Sequence, residues 1–476
     1  MAGERLMELL DELTSIVGAS AVLTGQDCDA YAADWTGSYN ARPMAVVKPA
    51  TTAQVSAVLA LANRTRTPVV TRSGNTGLVG GGFAPDRLVV SMERMNQIIE
   101  IRPESRVAIV QAGVVLSKIH DAVDGYDLVF PLFFGARGSA MIGGNLATNA
   151  GGSNVLRYGN TRAQCLGIEV VLADGRIMNL MSTLNKDNSG YDLKNLFIGS
   201  EGTLGIITAA VLKLHPKPGA YATAMVAASS IESALTLLNR LQRETGGAVE
   251  AFEFMPRNYL TQLKKVLPHL KPPLGYDQDV TILVEVGALS ARESTVTDDG
   301  TVPITDLLES VLMEMIKDGL ASDAVIARSG QQRLDMWKIR ESAAEIGVGR
   351  SHIIESDVAL PLDKVAEFLE TATERLTALD PKADTMTVCH LGDGNVHFTI
   401  WPQVTDPQLH DQIREMVEDV TEKLDGSFSA EHGIGLSKLN SMARRKDSVA
   451  LAVMKDIKST LDPNNIMNPG KVLPGD

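Results

Sequence analysis

From about Pro43 to Pro218 the chain alternates short apolar runs with helical patterns. "MAVVKPA" predicts a strand, "TTAQVSAVLALANRT" a helix opened by a threonine cap, and "PVVTR" the next strand. "RLVVSM", "RVAIVQAG" and "CLGIEVVLADG" predict further strands, with glycine concentrated between the elements. After "KLHPKPGAYATAMVAAS" the texture changes. "SIESALTLLNRLQRET" and "TVPITDLLESVLMEMIKDG" carry helical spacing, and "VTILVEVG" reads as a strand. "SHIIESDVALPLDKVAEFLETATERL" reads strand, turn, helix; "TMTVCHLGDGNVHFTI" reads as a hairpin and "DPQLHDQIREMVEDVTEKL" as a helix. The pattern predicts an α+β domain followed by an antiparallel sheet covered by helices.

Length and charge narrow the classes. A chain of 476 residues is expected to form about two or three domains. A net charge of −14 without basic clusters excludes a general nucleic-acid binder. Leu6, Leu9, Leu10, Leu13 and Val17 recur at helical spacing among acids, so the N-terminus reads as an amphipathic helix rather than a signal peptide. No stretch has the length and apolarity of a transmembrane span. Cys28, Cys165 and Cys389 are far apart and form no CxxC pair, which fits a reducing compartment; cytoplasm is the expected location.

Three glycine-rich stretches lie in the first domain: "TRSGNTGLVGGG" (71–82), "GARGSAMIGGNLATNAGGSNVLRYGNTR" (135–162) and "GSEGTLGIITAAVLKLHPKP" (199–218). Glycine permits positive φ and lets a ligand meet the backbone, and successive N–H groups in such turns can hold a diphosphate without a basic side chain. Ordinary turns explain any one stretch; three together, each with short polar donors, predict a nucleotide site. The spacing is neither the GxGxxG of a dinucleotide fold nor a GxxxxGK[ST] phosphate loop.

The order of these segments resembles the vanillyl-alcohol oxidase (p-cresol methylhydroxylase type) FAD-binding family. Within it, the chain is similar to the D-2-hydroxyacid dehydrogenase branch, which includes D-2-hydroxyglutarate dehydrogenase, D-lactate dehydrogenase and the glycolate oxidase subunit. The resemblance runs from about Ala41 to Val472. It implies that "RSGNTG" (Arg72, Ser73, Gly74, Asn75, Thr76 and Gly77) holds the FAD diphosphate. Gly138, Ser139 and "GGNLATNAGG" (Gly143, Gly144, Asn145, Thr148, Asn149, Gly151 and Gly152) would pass along the flavin. Gly202, Gly205 and Ile206 of "GSEGTLGI" would close the other side, and Asn468 of "DPNNIMNPGKVL", with Lys471, would lie near the ring. No histidine occurs in "RSGNTG", "GGNLATNAGG" or "GSEGTLGI", so the FAD is expected to be noncovalent.

"HLGDGNVHFTI" places His390 and His397 on either side of a Gly-Asp-Gly-Asn turn, and "SAEHGIG" offers Glu431 and His432. Two neutral imidazoles and a carboxylate with an open position make a catalytic-type metal site. From the residues alone, each hairpin histidine reads first as a hydrogen-bonded structural residue, and a further ligand or turn residue is the alternative for His432. The resemblance implies a divalent ion, with zinc expected, on His390, His397 and Glu431, and His432 as the base that takes the substrate hydroxyl proton. Cys389 would face away from its neighbour His390 on a strand.

The resemblance also implies that Arg340, in "LDMWKIRESAAE", grips the substrate carboxylate; a helix-surface salt bridge with Glu341 is the other reading. Three positions depart from the hydroxyglutarate pattern: Glu355 stands for a lysine, Ala344 for a threonine and Thr399 for an asparagine. A negative charge at Glu355 weighs against a dicarboxylate, favouring D-lactate or another D-2-hydroxy acid with a neutral or basic tail. The expected protein is an FAD enzyme that oxidises a D-2-hydroxy acid and passes electrons to a quinone, cytochrome or electron-transfer flavoprotein. Its expected parts are an FAD domain (1–217), a cap (218–425) and a C-terminal segment (426–476), with a homodimer implied by the resemblance. A metal-dependent hydrolase and a flavin-binding electron-relay subunit are the alternatives from other classes.

Overall fold

The apolar runs of the first domain are short because each is one strand of a sheet buried on both faces. In the computed structural model, which describes residues 2–347, 350 and 352–475, Ala45–Val47 and Val69–Arg72 both pair in parallel with Leu88–Ser91. Val22–Leu23 adds an antiparallel edge. The crossover between the first two parallel strands is helix Thr52–Thr65, whose Thr51 hydroxyl accepts from the Gln54 N–H, the cap predicted from the sequence. A second, antiparallel sheet runs in the order Ile98–Arg102, Val107–Gln111, Gly205–Lys213, Cys165–Leu172, Ile177–Leu180. Each sheet has its own apolar core, and the tail residues Ile466 and Met467 complete the first.

The chain divides into two compact units: residues 1–151, 160–215 and 431–476 form one, and 152–159 with 216–430 the other. The expected 1–217, 218–425 and 426–476 division differs from this in three places, the smallest being residues 216–217, which fall in the second unit. Residues 152–159 join the cap because Arg157 and Asn154 donate to the buried carboxylate of Glu250, at 2.6 and 2.8 Å, on a cap strand. Residues 426–430 also belong to the cap: Ser427 and Ala359 exchange backbone hydrogen bonds, and the Ala430 N–H donates to the Asp357 carbonyl at 3.1 Å.

The cap is a seven-stranded antiparallel sheet. Its spatial order is Ala321–Ile326, Ala220–Ala228, Val280–Ala288, Val249–Pro256, Asp384–His390, Asn395–Trp401, Ile354–Ala359. Strand periodicity sorts its side chains. Phe252, Phe254, Cys389, Val396, Phe398 and Ile400 face one core with helices Ile231–Glu244, Pro303–Lys317, Val365–Leu379 and Pro407–Lys423. Met255, Met386, Val388 and Trp401 face the other, under helices Arg257–Val266 and Gly330–Glu341. By the same alternation Glu253, Glu355, Asp357, His390, His397 and Thr399 share this second face. No helix among the described residues is long and apolar enough to cross a membrane.

Candidate functional site

The hairpin Asp384–His390/Asn395–Trp401 answers why two histidines flank a glycine turn. His390 is registered opposite Asn395 and His397 opposite Val388, so the two are diagonal neighbours on one face, with ring centroids 5.4 Å apart. The turn requires glycine at Gly394: its φ is +80°, and a Cβ there would lie 2.1 Å from the Leu360 carbonyl oxygen. Cys389 is fully buried on the opposite face.

Behind His390 stands Glu253, 1% exposed and registered directly opposite it on the neighbouring strand. Its Oε1 accepts from His390 Nδ1 at 2.8 Å and its Oε2 accepts from Arg340 Nε at 2.6 Å. Burial alone would raise the Glu253 pKa; the Arg340 guanidinium and the hydrogen bond from His390 outweigh it and hold the carboxyl below its usual range. Arg340 is therefore neither a surface residue nor paired with Glu341 on the helix exterior. Pairing through Nε leaves its terminal nitrogens as the donors that could meet a ligand carboxylate.

Asp357 backs His397, with 3.9 Å between Oδ1 and Nδ1. Glu355 is registered opposite Thr399, the next residue along the same face. Its side chain reaches water but is walled in by protein; the resulting desolvation raises its pKa, and His397 opposes the rise. Ala344 lies in helix Ala343–Gly347. Glu431 directly follows Ala430, whose N–H is fixed to the Asp357 carbonyl opposite His397. Chain connectivity thus delivers Glu431 one residue beyond that anchor and His432 two.

In the first unit a partly buried glutamate holds the segment carrying His432. Glu201 Oε1 and Oε2 accept from the Ile434 and Gly435 N–H groups at 2.7 and 2.9 Å, and Gly433 gives them room. Burial raises the pKa of Glu201, opposed by these two N–H groups. Glu201 belongs to "GSEGTLGI", so this glycine stretch anchors the loop after His432.

The glycine stretches meet within the same unit. A Cβ on Gly74 would lie 2.1 Å from the Ser139 carbonyl oxygen, and one on Gly144 would lie 3.1 Å from the Ser73 Cβ. From Ser73 to Gly80 no backbone N–H has an acceptor among the described residues. The Asn145 amide nitrogen and the Thr71 hydroxyl are buried without a partner. A row of open N–H groups beside orphaned polar atoms fits a diphosphate and a polar ring system. Replacing Gly74 with alanine should displace Ser139 and lower FAD retention at least tenfold; full FAD occupancy in the purified variant, read at 450 nm, would remove this loop contact from the cofactor bed.

Several residues expected to touch FAD are otherwise employed. Arg72 is buried and its guanidinium donates to the Tyr31 and Ala33 carbonyls, so it braces the loop rather than the diphosphate. Asn468 Nδ2 donates to the Gly81 and Glu201 carbonyls at 3.2 and 2.8 Å, and its Oδ1 accepts from Lys471. It is a clip between glycine loops, with no free amide. Lys471, pulled down to about 7 by burial, donates also to the Phe83 carbonyl. Asn149 ends a helix at φ +52° and accepts from the Arg162 N–H, and Thr148 donates back to the Gly144 carbonyl. Ile206 lies in the apolar core, Gly205 is packed against Val170, and Gly152 begins the segment that joins the cap. Thr76, Gly77, Gly138, Gly151 and Gly202 are turn or loop positions.

Comparison with known proteins decides the family. Residues 43–181 match the FAD binding domain family, and residues 217–472 match the C-terminal domain of FAD linked oxidases. D-2-hydroxyglutarate dehydrogenase, mitochondrial, of Arabidopsis thaliana is 36% identical over 93% of this chain and 77% of its own. The D-2-hydroxyglutarate dehydrogenase of Xanthomonas citri pv. viticola is 33% identical over 94% of this chain and 92% of its own. The chain belongs to the FAD-dependent D-2-hydroxyacid dehydrogenases. The fold agrees: p-cresol methylhydroxylase with substrate bound superposes with a TM-score of 0.76, at 17% identity, over 98% of this chain and 96% of that one. The dehydrogenase is an FAD-dependent oxidoreductase with the fold of p-cresol methylhydroxylase, and the metal-hydrolase alternative has no support left. Two acids, the buried Glu253 and the partly buried Glu201, hold the site segments of this dehydrogenase and have no role assigned from the sequence.

Proposed function

We propose that this dehydrogenase oxidises a D-2-hydroxy acid to the 2-oxo acid, with D-lactate or a similar monocarboxylate preferred over D-2-hydroxyglutarate. The observation that carries the reading is the row Arg340–Glu253–His390 beside His397 on one sheet face, a carboxylate-binding cation next to two imidazoles. When bound, FAD supplies the hydride acceptor and a divalent ion supplies the Lewis acid that lowers the pKa of the substrate hydroxyl. Arg340 holds the C1 carboxylate through its terminal nitrogens and so fixes the direction in which the C2 hydrogen is presented. His390, His397 and Glu431 are the donor set for the ion, with zinc the expected metal. His432, next in the chain to Glu431, takes the hydroxyl proton. Turnover requires an external acceptor of the quinone, cytochrome or electron-transfer flavoprotein class. The three buried free thiols suit a reducing compartment, with cytoplasm the proposed one.

The substrate preference rests on Glu355. Its carboxylate occupies the face of the cap sheet that carries His397, where a second substrate carboxylate would meet like charge. The named activities of the relatives favour D-2-hydroxyglutarate as the second reading. Anaerobic addition of D- and L-enantiomers of both acids to the yellow protein separates the cases. Bleaching by D-lactate ahead of D-2-hydroxyglutarate is expected. Glu355→Lys should raise kcat/KM for D-2-hydroxyglutarate relative to D-lactate about tenfold, or ~1.4 kcal/mol. A wild-type preference for the dicarboxylate would establish the second reading, and no bleaching by any of these acids would defeat both.

A further inference from the structure

We infer that Glu253 is a positioning residue that fixes the tautomer of His390 and the aim of Arg340 with a single carboxylate. The inference rests on the proposed reading of His390 as a metal ligand. Glu253 lies in "VEAFEFMP", a strand built from apolar residues apart from Glu253 itself and Glu250, and nothing about packing calls for an acid at 253. A buried ionised carboxylate needs donors, and it has two: His390 Nδ1 at 2.8 Å and Arg340 Nε at 2.6 Å.

Donor counting sets the histidine. An ionised carboxylate only accepts and a guanidinium only donates. Arg340 Nη2 stands 3.5 Å from His390 Nδ1, but two donors face each other there, so that approach is a contact and Glu253 is the acceptor of the ring proton. The proton of the neutral ring is thus on Nδ1, and Nε2 keeps its lone pair, the state required of a nitrogen that binds an ion. The cross-strand register of Glu253 with His390 makes this contact a property of the sheet. Arg340 arrives separately, from helix Gly330–Glu341, and its Nε contact with Glu253 fixes the plane of the guanidinium. His397 has an acid behind its Nδ1 as well, Asp357, at 3.9 Å. Both rings of the hairpin therefore back onto carboxylates, the tighter contact belonging to Glu253.

The first test needs no variant. In metal-free protein carrying ¹⁵N-histidine, the His390 spectrum should show the proton on Nδ1; a proton on Nε2 overturns the inference. The second test titrates zinc into Glu253→Gln, in which the amide can donate as well as accept. Zinc affinity should fall about 10- to 100-fold with the yellow colour retained, and Glu253→Asp should recover part of the loss. Wild-type zinc affinity and an unchanged tautomer in Glu253→Gln would also overturn it. Failure of the wild-type protein to take up any divalent ion would instead defeat the metal reading, and the tautomer would still decide the role of Glu253. Should Glu253→Gln not fold, the wild-type spectrum alone decides.

Discussion

His432→Ala is expected to slow flavin reduction by the hydroxy acid by about 10²–10⁴-fold, the usual contribution of a positioned general base. The yellow colour should persist, because the N–H groups of residues 73–80 and the Asn145 amide belong to other segments. Stability should change little: Glu201 holds the loop through the backbone of Ile434 and Gly435, which alanine at 432 preserves. The pH profile discriminates further. With His432 as base, the limb of the profile on which the base must be deprotonated disappears in the alanine variant. Anaerobic stopped-flow reduction measures both, and a variant reducing at the wild-type rate would remove His432 from the proton transfer.

Arg340→Ala should be damaging in two separable ways. Removing the guanidinium leaves Glu253 as a buried carboxylate without its cation, a loss of about 3–5 kcal/mol in stability. The substrate carboxylate loses its partner at the same time, so kcat/KM should fall about 10²–10⁴-fold. Arg340→Lys separates the effects. Lysine can restore charge beside Glu253 and much of the melting temperature, but it cannot hold Glu253 through one nitrogen and a second carboxylate through two others in a fixed plane. Thermal unfolding and steady-state kinetics on both variants check this. Activity near wild type in Arg340→Lys would mean that the guanidinium geometry is not used.

Much of this arrangement was legible because it follows from local periodicity. Alternation in "TMTVCHLGDGNVHFTI" put both histidines on one face and Cys389 on the other, and the glycine turn between them required their proximity. The parallel strands could be read as unbroken apolar runs, and the Thr51 cap from its place before the helix. Longer-range relations could not be read this way. Glu253 reaches His390 and Arg340 across separations of 137 and 87 residues, and nothing local specifies either pairing. The available signal was an acid in an apolar strand, shared by Glu250 and Glu285, each of which also has an arginine partner. Motif matching placed Arg72 and Asn468 at the cofactor but could not tell a side chain that meets a ligand from one that braces the loop behind it. The segment 152–159 was assigned by its neighbours in sequence, whereas the Arg157–Glu250 ion pair places it in the cap.

Anaerobic flavin reduction by D-lactate, measured on one preparation as isolated, after chelation of divalent ions, and after zinc is restored, tests the central claim that the hairpin histidines hold an ion on which the oxidation depends. The account predicts that the chelated protein stays yellow on addition of D-lactate and bleaches again once zinc is returned. Equal bleaching rates in all three samples would contradict it.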